Sequence, residues 1–94
     1  MREESTVILF SPGRIVATPS AVETVPRREL DSALARHLHG DWGELCDEDK
    51  QANQLALKHC DRLFSAYKTE AGTKFWIITE ADRSATTILL PDEY

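Results

Sequence analysis

The sequence predicts an α+β domain, a small antiparallel β-meander of three to five strands with two main helices packed on one face. Three observations carry this expectation. Two central segments repeat apolar residues at helical spacing, the last third switches to alternation broken by turn residues, and 94 residues at 41% hydrophobic suffice for one core. The domain therefore spans residues 1–94, with residues 1–5 expected to fray at the terminus.

The first elements are short. "TVILF" and "RIVAT" are β-branched runs joined by "SPGR", whose Pro-Gly pair suits a type II turn, so a hairpin or bent edge strand is expected there. In "TPSAVETV", Thr18 is placed to cap a short helix that has Pro19 at its first position, and Pro26 ends it. From Arg27 to His39 the residues Leu30, Ala33, Leu34 and Leu38 form a helical stripe that includes His37, and Gly40 supplies a left-handed cap. A second long helix is expected from about Asp47 to Cys60, with "DEDK" at its positive end and a stripe of Ala52, Leu55, Ala56 and His59. Leu57 points away from that stripe.

The remaining chain reads as three antiparallel strands, "RLFSAYK", "TKFWIITE" and "ATTILLP". Gly72 serves the first turn, and Pro91 closes the last strand because it has no N–H to donate. In "KFWII" both faces are apolar, Phe75 and Ile77 on one and Trp76 and Ile78 on the other. Two helices cover one face, so the other calls for the N-terminal strands, a partner chain or a ligand.

Composition narrows the function classes. With 16 acidic against 11 basic residues and a net charge of -5, non-specific nucleic-acid binding is disfavoured. The only apolar run near the start, Val7 to Phe10, is too short for a signal peptide or a membrane span, which places the protein in the cytoplasm with no membrane partner. Cys46 and Cys60 are too few for a disulfide framework. No cofactor motif is present.

The chemistry candidates begin with "LHGDWGELCDED". His37, His39, Cys46, His59 and Cys60 include zinc-ligand types, but His37 and His39 diverge by roughly 200° on a helix and His59 and Cys60 by about 100°, so neither pair chelates one ion. The acidic run lacks the alternating ligands and central glycine of a calcium loop and suits helix capping. Cys46 with His37 or His59 is the one nucleophile-base pairing to consider, and Asp47, Glu48 and Asp49 oppose a thiolate there. The metal and catalytic assignments are therefore none. Trp42 either pins the helix crossing with a buried ring or, exposed beside Glu44, meets a partner. Tyr67 and Trp76 have the chemistry to stack on a ligand, and core placement is the commoner use of strand aromatics. In "TEADRS", Glu80, Asp82 and Arg83 form either a presented functional turn or a self-bonded one, with Asp82 and Ser84 on the backbone and Arg83 on a carboxylate.

The strings "HGDWGEL", "DEDKQAN", "RLFSAY" and "FWIITEADRSATTILLPDEY" resemble a family of small bacterial proteins of plasmids, integrative elements and phage-like islands, some of them labelled as restriction-modification components. The likeness runs from about "GRIVATPSAVE" to the end of the chain, nearly its whole length, and is most specific in the long C-terminal string. Such proteins are too short to hold a methyltransferase or nuclease domain, so the label implies no activity. Cys46 and Cys60 stand where acidic, glycine or other small residues are expected in relatives. The resemblance implies a mobile-element setting, and with the two-faced strand Lys74 to Glu80 and the Trp42 loop as candidate surfaces the expected role is a non-enzymatic accessory acting through protein contact, with an unidentified protein partner or a second copy as a homodimer. Candidate contact residues are Trp42, Glu44, Tyr67, Trp76, Glu80, Asp82 and Arg83. Two rival readings are a small ligand-binding or enzymatic domain using the Glu80, Asp82 and Arg83 turn, and a DNA-binding regulator using Arg27, Arg28 and Arg36.

Overall fold

A computed structural model describes residues 8–94. The expected fraying of residues 1–5, and Thr6 and Val7 of the first expected strand, lie outside the described residues. The elements run β1 (Arg14–Ala17), α1 (Pro19–Thr24), α2 (Arg27–Leu38), α3 (Asp47–His59), β2 (Leu63–Lys68), β3 (Lys74–Thr79) and β4 (Ala85–Leu89), followed by a 3₁₀ turn at Pro91–Glu93. The fold is α+β, as the patterning predicts.

The β2-β3-β4 meander is antiparallel as expected. The sheet as a whole is mixed, in the order β1-β4-β3-β2, because β1 runs parallel to β4 with Arg14 opposite Ala85 and Ala17 opposite Ile88. The sheet is thus not purely antiparallel, and of the two N-terminal alternatives β1 is an edge strand and not part of a hairpin among the described residues. Ile8, Leu9 and Phe10 are not in a strand; the Leu9 N–H instead donates to the Leu38 carbonyl at the end of α2, 2.9 Å away, and Phe10 packs toward the helices. Parallel pairing requires a long crossover, and the three helices between β1 and β2 belong to that connection.

The caps follow their residue types. Thr18 Oγ1 accepts from the Ala21 N–H, Pro19 opens α1, and Pro26 lies between α1 and α2. The α2 stripe buries Leu30 and Ala33 in one cluster with Phe75, Ile77, Ile88 and Tyr67 of the sheet and with Ala21 and Val25, and buries His37 beside Phe10 and Trp42. The α3 stripe is corrected: Asn53 and Ala56 are buried and Leu57 is half-buried, whereas Leu55 is 58% exposed and Ala52 and His59 face solvent. Successive helical residues are about 100° apart, so rotating the contact by one position exchanges one stripe for the other.

The rotation has a cause in hydrogen bonding. Strand β2 lies at the sheet edge, where outward backbone groups need partners. The Asn53 side chain supplies them, donating from Nδ2 to the Phe64 carbonyl at 2.6 Å and accepting at Oδ1 from the Phe64 N–H at 3.2 Å. Two residues on, the Glu44 N–H donates to the Ala66 carbonyl at 2.7 Å, and the Ala66 N–H donates to the Trp42 carbonyl at 3.2 Å. Gly43 between them adopts φ 78°, and an added Cβ would collide with the Ala66 carbonyl, so glycine is needed for both conformation and approach. Asn53→Leu is expected to lower unfolding free energy by about 2 kcal/mol, since it strands two backbone groups, with Asn53→Asp also destabilising because its carboxylate meets the Phe64 carbonyl. Urea unfolding of the three proteins checks this, and an unchanged Leu variant would remove Asn53 from the account.

A buried polar chain crosses the core. Ser65, Thr79 and Thr86 lie on β2, β3 and β4 and His37 on α2, and all four are fully buried. The Thr86 hydroxyl donates to the Pro12 carbonyl at 2.8 Å, which leaves its oxygen to accept from Thr79 at 2.7 Å. Thr79 in turn accepts from His37 Nε2 at 2.9 Å, and His37 Nδ1 accepts from the Ser65 hydroxyl. The carbonyl at one end thus sets the Nε2–H tautomer of a neutral imidazole.

Candidate functional site

Local geometry divides the expected contact residues into two groups. Trp42 is 3% exposed, packed among Ala56, Leu63, Phe10, Leu45 and Leu57 with its ring edge-on to His37 at 5.7 Å. It pins the loop and is not available to a partner. Tyr67 is also buried, its hydroxyl donating to the Asp41 carbonyl at 2.7 Å, and burial pushes that phenol up to about 12. The guanidinium of Arg36 lies over the Tyr67 ring and bonds both Asp41 oxygens, at 2.8 and 3.2 Å, holding that carboxyl below its ordinary range. Glu44 remains exposed.

The Glu80 to Ser84 turn does not form a convergent site. Asp82 faces solvent, and its carboxyl is held below its ordinary range by the Ser84 hydroxyl and then by the Ser84 N–H, which donates to it at 3.0 Å. Arg83 takes a left-handed conformation, φ 62°, and its guanidinium donates to the carbonyls of Asp61, Ala56, Glu80 and Ala81. The expected carboxylate partner is replaced by backbone carbonyls at the end of α3, where a cation also meets the negative end of the helix dipole. The arrangement ties the turn to the helix.

Other chemistries fare similarly. Ser65 beside His37 has the composition of a nucleophile and base, but both are 0% exposed and no substrate reaches them. Among the described residues no three His, Cys, Asp or Glu side chains gather as metal ligands, and Cys46 and Cys60 are free and exposed. Of the α2 arginines, Arg27 pairs with Asp31 and Arg36 with Asp41, which neutralises most of the basic face that a regulator needs. Among the described residues no helix is long and apolar enough to cross a membrane.

Trp76 is different. Alternation along each strand puts Phe75, Ile77 and Thr79 toward the helices and Lys74, Trp76 and Ile78 toward the opposite face. Register then aligns Trp76 with Ala66 and Leu89, and Ile78 with Phe64 and Thr87, which pairs with Val16. No helix covers this face. Its cover is partial: Ile78 and Leu89 are buried on it, while Trp76 stays half-buried beside the final turn and Tyr94, whose ring sits 5.9 Å from Trp76 and is 66% exposed. Phe64 meets Trp76 edge-on at 5.0 Å, and the Arg62 guanidinium lies 5.3 Å from the centre of the Tyr94 ring.

Two clefts flank the indole. One, of about 290 Å³, is lined by Arg62, Phe64, Trp76, Ile78 and Tyr94 and is almost wholly apolar. The other, of about 330 Å³, is lined by Glu44, Ala66, Tyr67, Lys74, Trp76 and Pro91. No protein-family model, curated protein or solved structure gives a significant match to the chain. The site is therefore defined by its own geometry. Sequence reasoning finds Trp76 and Glu44 but misses Arg62, Phe64 and Tyr94, although the period-two rule places Phe64 on the same face as Trp76 once the β2-β3 register is known.

Proposed function

We propose that the protein is a non-enzymatic accessory that acts through protein-protein contact, using the uncovered sheet face centred on Trp76. The observation that carries this reading is the half-buried indole between two clefts on the face opposite the helices. An aromatic ring in that position offers a partner large apolar area at low entropic cost, and ring-lined clefts supply the concavity that anchors prefer. Its setting in a mobile genetic element rests on the sequence resemblance alone. The enzymatic alternative lacks support, since Arg83 is committed to backbone carbonyls and Asp82 to its own turn.

The test is site-specific photocrosslinking in the native host. A photoreactive residue replacing Thr87, which neighbours Trp76 on the face, is expected to give a discrete crosslinked protein that disappears with Trp76→Ala in a variant shown folded by circular dichroism. A crosslinking pattern identical with and without Trp76 would refute the assignment of this face.

A further inference from the structure

The strands that form the Trp76 face carry cations and no carboxylates. No aspartate or glutamate occurs in any of the four strands, although the whole chain carries an acidic excess. Strand cations do occur, and all fall on the uncovered face: Lys68 and Lys74 are cross-strand partners in the row next to Trp76, and Arg14 lies opposite Ala85. Arg62, preceding β2, lines the apolar cleft. The ion pairs among the described residues, Arg27–Asp31 and Arg36–Asp41, involve none of these four. Of the acids on the loops bordering the face, Glu44 lines the second cleft beside Lys74 and Asp92 is exposed in the final turn, while Glu93 is turned to its own chain, accepting from Thr18 at 2.7 Å and the Leu90 N–H at 2.9 Å.

Resting on the contact reading above, we infer that the occupant is an acidic polypeptide segment with a large apolar side chain, seated in the cleft beside Trp76 with its carboxylates at Arg62 and Lys74. Charge complementarity selects this partner. A second copy packed face to face would set four cations against their own images, a like-charge arrangement that costs affinity. A nucleic-acid strand would meet those cations but also the acidic remainder of the molecule, and the Trp76 ring stands edge-on to Phe64 instead of presenting a stacked platform. An apolar anchor suits the nearly wholly apolar lining of the first cleft.

The experiment is selection from a displayed random-peptide library on the intact protein, followed by titration of the enriched peptides. Expected sequences carry an aromatic or aliphatic residue flanked by aspartate or glutamate, and Arg62→Glu or Lys74→Glu weakens them by about tenfold or more, as does raised salt. Both side chains are exposed, so these variants reverse charge without removing buried packing and test the inference independently of Trp76→Ala. Enriched peptides without acidic bias, indifferent to charge reversal but lost with Trp76→Ala, would overturn the acidic partner and leave the contact face standing. Peptides indifferent to Trp76 as well would overturn both. Binding of oligo-dT in place of peptide, or a dimer in sedimentation that Arg62→Glu strengthens or abolishes, would likewise overturn the inference in favour of nucleic acid or a second copy.

Discussion

Trp42→Ala is expected to destabilise the protein by about 3–5 kcal/mol, the range for truncating a fully packed large aromatic, which is much of the total stability of a domain this size. The ring fills the space between α3, β2 and Phe10, and its own backbone carbonyl pairs with Ala66 at the sheet edge, so the cavity and the edge contact are coupled. Trp42→Phe is expected to stay within about 1 kcal/mol of the parent, for a reason specific to this site. The indole N–H is buried without a hydrogen-bond partner, and phenylalanine removes that unpaired donor while keeping most of the ring. Denaturant unfolding distinguishes the pair: an alanine variant as stable as the parent would show that the ring does not hold the loop.

Acidification is expected to weaken the fold well above the carboxylate range, through His37. Burial pushes its pKa down to about 4, against about 6.5 in the unfolded chain, so the unfolded state binds the proton more tightly. Stability from this group is fully present above about pH 6.5 and falls as pH drops from there toward 4, with a total loss of about 3 kcal/mol. Unfolding at pH 5 should therefore take up about one proton at His37. Chemical unfolding across pH 7.5 to 4.5 gives the slope, and His37→Gln should flatten it whatever its starting stability. A slope in the Gln variant equal to that of the parent would assign the effect elsewhere. The protonated ring donates from both nitrogens, so the Ser65 hydroxyl must turn to accept from Nδ1, while the bonds from Nε2 through Thr79 and Thr86 to Pro12 are kept and desolvation carries the cost.

Much of the fold was legible because the signals are local. Thr18 with Pro19, the Leu30-Ala33-Leu34 stripe and the meander all follow from capping, periodicity and turn chemistry within a few residues. The errors share one character. The α3 stripe looked apolar at Ala52 and Leu55, but a buried asparagine outcompeted leucine because an edge strand had two backbone groups to satisfy. Arg83 met the carbonyl of Ala56 in α3, 27 residues away, and that of Asp61 just past the helix, 22 residues away, partners that no local rule identifies.

The same division holds for the candidate site. By itself, the sequence determined that "KFWII" is apolar on both faces and that the chain offers only two long helices, enough to cover one of them. Side-chain alternation and a residue count suffice for that conclusion. Tertiary structure decided which side stays open, because β1 added in parallel beside β4 at the edge, and so left Trp76 uncovered. It also decided that Trp42 is buried and Trp76 half-buried, two tryptophans with similar sequence claims to a partner. Their difference is one of long-range packing: the Trp42 loop closes against β2 and α3, whereas the face that Trp76 occupies receives only a short turn and Tyr94.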